Sequence, residues 1–261
     1  MLCYDNTRYF NFNMRADLYK DLYQKENYYW WHVGKRRLIK SLIRNYIINK
    51  DLKRKKLKIL DVGCGSGKMT EDLKVFGEIS GIDSSKKAIV FCKKRGLKDV
   101  YKIDIGDKLP FPEKTFDLVL VLDVLEHIEN DQKVLRNLKR IMKEEGFLIL
   151  TVPAYQRLFS YWDKMLGHRR RYTKNGLTRK LRRNGYQILK ISYFNSFILI
   201  PAIVFRFFKS KLKENKPPSD FVNLPRFFNS FLLFLSDLER EILKLANTPF
   251  GLSIIAIVKN G

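Results

Sequence analysis

Cysteine and histidine are scarce in this chain of 261 residues, with three of each. Cys3, Cys64 and Cys92 are too few and too irregularly spaced for a disulfide framework or a thiolate zinc site, which points to a reducing interior. No apolar run reaches the roughly 18 residues that span a bilayer. The longest, FNSFILIPAIVFRFF, is broken by Pro201 and Arg206. The opening MLCYDNTRYFNFN lacks the apolar stretch of a secretory leader. These absences predict a cytoplasmic protein. Internal repeats and low-complexity tracts are missing too. Acidic residues are also in short supply: 27 Asp and Glu face 51 Lys and Arg, for a net charge of +24. That excess favours anionic partners such as phospholipid headgroups, nucleic acid or phosphorylated substrates, although widely spread lysines alone decide nothing. A 45% hydrophobic content supplies an ample core and argues against disorder.

What is present begins with ILDVGCGSGK, residues 59 to 68, where glycine recurs at 63, 65 and 67. KILDVG reads as a short buried strand, the glycines as a tight turn, and SGKMTEDLKVFG as the helix that follows. EISGID, SSKKAIVFCKKRG, DVYKIDI, TFDLVLVLDVLEHI, DQKVLRNLKRIMKEEG and FLILTVP continue the alternation of strand and helix. Ser84 or Ser85 can cap the second of these helices and Gly96 can close it. Strands that are nearly continuous apolar runs belong to a parallel sheet covered on both faces, and right-handed crossovers make it doubly wound. After Pro153 comes a basic, aromatic loop and a short helix capped by Thr173. QILKISYF reads as a sixth strand and FGLSIIAIVKN as the last. Residues 15 to 50 read as helix with a break at Gly34.

A strand, a glycine turn and a helix form a corner where a nucleoside can lie against bare backbone and meet the helix amides. Asp83 ends the next strand about 20 residues on, where a carboxylate can accept both ribose hydroxyls. A phosphate-cradling loop is excluded because Gly67-Lys68 is followed by Met69, and the dinucleotide pattern G-x-G-x-x-G is not met either.

LDVGCGSG with Asp83 and FDLVLVLDVLEHI resembles the class I S-adenosylmethionine-dependent methyltransferases, in their type 11 small-molecule branch. The likeness covers about residues 57 to 155. It implies a seven-stranded α/β sheet whose last strand runs antiparallel. It also implies S-adenosylmethionine as cofactor, leaving as S-adenosylhomocysteine, across the carboxyl ends of the first strands. By that resemblance Asp61 and Gly63 face the methionine end, Gly65 and Gly67 lie beside the adenosine, and Asp83 holds the ribose. Asp104 reaches the adenine amino group, and Asp123 opens toward methionine and substrate. The chain then divides into an N-terminal helical lid (1–50), a core (51–196), an apolar helical insertion (197–247) and a final strand (248–261).

Acceptor chemistry asks for alignment and, at a hydroxyl, for a base. His127 and His168 are the candidates for it. Arg169, Arg170, Arg171 and Tyr172 cluster beside His168 and suggest an anionic acceptor. Trp31, in YYWWHVGKRR, is a candidate lid contact to substrate. Asp123, Glu126 and His127 stand at i, i+3 and i+4, a spacing that resembles the metal-feeding Glu-x-x-Glu-His of small-RNA 3′-terminal 2′-O-methyltransferases. Because the first acidic residue here is Asp, only His168 could add a further histidine ligand, and LEHI is widespread in metal-free relatives, no metal is expected.

The insertion holds a stripe of Phe227, Phe231, Phe234, Leu235, Leu238, Ile242 and Leu245, which cannot be left in water. Core packing, a homodimer interface or contact with an anionic membrane would each cover it, with Lys209, Lys211, Lys213, Lys216 and Arg226 flanking. The expected function is methyl transfer, preferably to oxygen, on a hydrophobic or lipid-linked acceptor. The alternatives are RNA methylation, disfavoured because no RNA-binding module is appended, and a cofactor-binding scaffold without activity. Oligomeric state is open.

Overall fold

The computed structural model describes residues 16–49, 56–160, 163–164, 166–209 and 224–261. Cys3, the basic run over 50–55, and Lys211, Lys213 and Lys216 of the polar linker lie outside them. Seven strands form the central sheet: β1 (Leu57–Val62), β2 (Gly77–Asp83), β3 (Val100–Lys102), β4 (Phe116–Leu122), β5 (Met142–Pro153), β6 (Tyr186–Phe194) and β7 (Ser253–Asn260). Their order is β3-β2-β1-β4-β5-β7-β6. The first five pair in parallel, and β7 runs antiparallel to both β5 and β6. This is the doubly wound, mainly parallel sheet that the apolar runs imply.

Alternate residues of each strand feed two cores, as a period of two requires. On one face Leu60, Val62, Val119 and Val121 meet Val134, Leu135, Leu138 and Ile141 of α5 (Asp131–Ile141) and Leu177 and Leu181 of α6 (Lys174–Arg183). On the other, Ile59, Leu118, Leu120 and Ile149 meet Leu38, Ile39, Leu42 and Ile43 of α2 (Trp30–Ile43). The sequence-marked caps are in place. Ser85 Oγ accepts from Ala88 N at the head of α4 (Lys86–Lys94), and Thr173 Oγ1 accepts from Gly176 N.

Four readings change. Gly34 does not break a helix; it lies inside α2, where an added Cβ would stand 2.9 Å from Ser236 Cβ on α8 (Arg226–Leu245). The missing side chain allows close packing of the two helices. The fourth strand stops at Leu122, because Asp123 turns to φ +56. Met142 begins β5 rather than ending a helix. The third strand is only three residues long.

Between β6 and β7 stand α7 (Leu199–Lys209) and α8. Leu243 of α8 is buried against the sheet, and the Glu239 carboxylate accepts the Asn195 and Ser196 amides at 2.8 Å each. The apolar stripe lies on the opposite side: Phe227 is 76% exposed, Phe234 63% and Leu245 93%. Among the described residues most of that stripe is not packed into the domain's core. Among the described residues no helix is long and apolar enough to cross a membrane.

Candidate functional site

A cleft of about 1580 Å³ opens at the carboxyl ends of β1, β2 and β4. Its floor is the glycine loop. Gly63 and Gly65 take φ of +71° and +57°, a region closed to most side chains. At Gly63 a Cβ would come within 2.4 Å of Val124 Cγ2, whereas at Gly65 it would meet only Leu22 at 3.4 Å. Gly63 is thus needed for packing as well as for the turn, and Gly65 is the position that presents bare backbone to the cleft.

Asp83 ties this loop to the second strand. Its Oδ2 accepts Gly65 N at 3.0 Å, and its Oδ1 accepts Ser85 N at 2.8 Å and the Tyr19 hydroxyl at 3.5 Å. Burial raises its pKa, and the two amides partly offset that. Tyr19 belongs to α1 (Ala16–Lys25), which is fastened over the loop by a buried cluster. There Ser66 Oγ donates to Glu26 Oε1 at 2.5 Å, Arg95 pairs with the same carboxylate, and Arg95 Nε donates to Ser66 O at 2.9 Å.

Asp61 lies deeper, 2% exposed, accepting Thr70 Oγ1 at 2.7 Å. Burial, with the Asp83 charge adding to it, pushes its carboxyl up to about 7. At Asp123 burial works in the same direction, but the Lys35 ammonium and the Thr151 hydroxyl (2.8 Å) overcome it and hold the carboxyl below its ordinary range. Asp104 sits exposed on the rim, accepting Gly106 N at 2.8 Å. All of these residues line the cleft, as does Trp31, whose ring lies 5.6 Å from Lys35 Nζ.

The end of the cleft beside β4 and β5 is built by a turn after β4 and the loop after β5, which are stitched together. Arg169 N donates to Glu126 O at 2.8 Å, and Arg169 Nε donates to His127 O at 3.1 Å. His127 Nδ1 lies 3.2 Å from Gly167 O, and His168 Nδ1 lies 3.1 Å from Asp163 Oδ1. The two imidazoles meet edge to face at 4.8 Å.

Three predicted residues lie off the cleft. Gly67 packs on α4, where a Cβ would stand 2.9 Å from Cys92 Sγ. Tyr172 is buried, donating to Asp131 at 2.9 Å and to Leu125 O at 3.2 Å. Arg170 turns to Glu129 O and Asp131. Arg171 lines the cleft, but its guanidinium is spent on Asp163 at 2.7 Å and Ala154 O at 3.1 Å. Arg170 and Arg171 brace the loop, while Arg169 lines the cleft. Sequence reasoning missed Lys35, Tyr19 and Asp163. None has a local signature, since each reaches the site only through the packing of its element.

Asp61 sets a pH dependence. Between about pH 4 and 7 the folded chain keeps a proton that the unfolded chain has lost, so stability is greater at the acid end of that range and falls as pH rises. Urea unfolding should show a loss of up to about 4 kcal/mol from this group, and Asp61→Asn should flatten the slope. An equal slope in both proteins contradicts the assignment.

A family model described as a methyltransferase domain matches residues 60–150. The ubiquinone biosynthesis O-methyltransferase of Pelagibacter ubique is 31% identical over 117 residues, covering 42% of this chain and 48% of that one. The chain thus spans about half the length of that curated relative. A SAM-dependent methyltransferase from Archaeoglobus fulgidus shares the fold, with TM-score 0.53, 23% identity and coverage of 86% and 94%. The [4+2]-cyclase SpnF also shares it, at TM-score 0.54 and 18% identity over 84% and 80%. The cleft fits the cofactor of such domains: bare backbone at Gly65, a carboxylate at the second strand's end and room for a nucleoside with its amino-acid tail. Residues 60–150 thus match the methyltransferase-domain family, and the cleft suits the S-adenosylmethionine that class I domains of this kind use.

Proposed function

We propose that this protein moves the methyl group of S-adenosylmethionine to an oxygen of a hydrophobic, lipid-linked acceptor at an anionic membrane surface. One observation carries the reading: a carboxylate-lined nucleoside corner shares the domain with a helix whose apolar stripe faces outward. The sulfonium brings its own activation, so the chain's work is alignment and provision for the acceptor's proton. Asp83 accepts the ribose hydroxyls and Asp104 meets the adenine edge. Asp61 and Asp123 flank the methionine end, with Lys35 keeping Asp123 ionised. Tyr19 and Trp31 close the cleft as a lid. His127 and His168 face the acceptor with their Nε2 atoms, because each Nδ1 is engaged elsewhere. That the curated relative is named for O-methyl transfer agrees with oxygen as the acceptor atom.

The membrane part rests on area and charge. Exposed apolar surface costs about 25 cal/mol per Å², and Phe227, Phe228, Phe231, Phe234 and Leu238 form a continuous exposed strip. Arg226 begins the helix, and a net charge of +24 favours anionic lipid.

Label from methyl-labelled S-adenosylmethionine, offered to a cell extract split into lipid, RNA, protein and small-molecule fractions, is expected in the lipid. Asp83→Asn should lower kcat/KM about ten- to hundredfold, the loss of charge-assisted hydrogen bonds. Label in RNA instead would overturn the acceptor. In flotation, the wild type should rise with vesicles containing anionic lipid, and the Phe227, Phe231 and Phe234→Ser variant should stay below. Equal flotation of the two contradicts the membrane face.

A further inference from the structure

We infer that Glu126, His127 and His168 form a site for one divalent transition-metal cation of the zinc type at the acceptor end of the cleft. One ligand atom from each lies within 4.8 Å of the others. The inference deepens the proposed function, on which only the use of the open coordination position depends.

The first observation is Glu126. It is wholly buried, yet neither carboxylate oxygen has a hydrogen-bond partner. Leaving a carboxyl unpartnered in the interior costs several kcal/mol as a rule, about the most expensive arrangement a fold can keep. Such a group calls for an explanation, and Glu126 is among the residues that line the cleft.

The second is the state of the imidazoles. His168 Nδ1 is engaged by the buried carboxylate of Asp163, itself fixed by Arg171, and His127 Nδ1 by the carbonyl of Gly167. A histidine that donates its Nδ1 hydrogen to a carboxylate or carbonyl holds a lone pair on Nε2, which is how protein metal sites orient their ligands. His168 Nε2 lies 3.9 Å from Glu126 Oε1, too far for a hydrogen bond and on the side a cation would fill. Donors of a tetrahedral zinc with bonds of about 2.1 Å lie about 3.4 Å apart, so the present spacing closes if each donor moves by less than about 1 Å.

The third is what stays out. Asp123, which the sequence spacing would include, is occupied by Lys35 and Thr151. Two imidazoles and one carboxylate remain, a set that suits zinc better than magnesium and leaves a position open for water or an acceptor oxygen. The expectation of no metal rests on Asp standing at 123 in place of Glu, on the shortage of further histidines and on how common the LEHI motif is. That motif contains neither His168 with its Asp163 anchor nor the unpartnered carboxylate of Glu126. A nitrogen that binds a cation cannot also serve as a base, so metal titration separates the two roles.

The full-length protein, stripped with a chelator, is titrated with Zn²⁺ by calorimetry. Mg²⁺ forms a parallel arm, and S-adenosylhomocysteine is titrated into the same metal-free sample. Expected are one Zn²⁺ per chain, a raised melting temperature, much weaker Mg²⁺ binding, and visible absorption of tetrahedral type when Co²⁺ replaces Zn²⁺. Glu126→Gln, which keeps the shape, should weaken Zn²⁺ by more than about tenfold. His127→Asn, on the half-buried rim, gives the same readout if the first variant does not fold. No Zn²⁺ bound by the wild type, or equal binding by the wild type and a folded variant, overturns the site. Loss of S-adenosylhomocysteine binding with Zn²⁺ binding intact counts against the proposed function and upholds the cation site.

Discussion

A single carboxylate organises the nucleoside corner. Asp83 receives the amides of Gly65 and Ser85, so the end of β2 and the glycine loop after β1 are held in one geometry. The parallel register of β1 with β2 supplies the rest, since Gly63 and Cys64 both donate to Ile82 O. Buried acids are costly unless their acceptor capacity is used. Here part of it is used by the loop, and Asp83 also lines the cleft. The first helix depends on the same corner, because Tyr19 reaches Asp83 while Glu26 grips Ser66 and Arg95.

Much of this was legible in the residues. Apolar runs separated by amphipathic helices dictate a parallel sheet, because each strand must be buried on both faces and each helix on one. Asp61, Gly65, Asp83 and Asp123 share one cleft because strand ends in such a sheet converge on one edge, and a short sequence pattern marks each end. What failed to show was whatever depends on distant partners. Gly34 reads as a breaker only until Ser236 of α8 is seen against it. Gly67 belongs to the glycine motif but serves helix packing at Cys92. The arginines after β5 look like an anion clamp, and only the folded loop reveals that Asp163, Glu129 and Asp131 have taken them.

The remainder of the molecule divides along the same lines. α8 meets the domain through positions that include Asn229, Ser236, Asp237, Glu239 and Leu243, and turns its phenylalanines away. A helix so constructed is amphipathic in an unusual sense: its buried side is narrow and in part polar, and its apolar side is exposed. The acceptor end of the cleft shows a comparable mismatch, with a fully buried carboxylate left unsatisfied beside two oriented imidazoles. Both features are unfavourable in the free protein, and both make sense when something outside the chain completes them. The first calls for an apolar surface, the second for a cation.

The central claim is that the corner around Gly65 and Asp83 binds the methyl donor's nucleoside. Calorimetric titration of the wild-type protein with S-adenosylhomocysteine tests it most directly. The account predicts saturable binding of one molecule per chain, with a rise in melting temperature. Absence of heat together with an unchanged melting temperature at saturating ligand would contradict it.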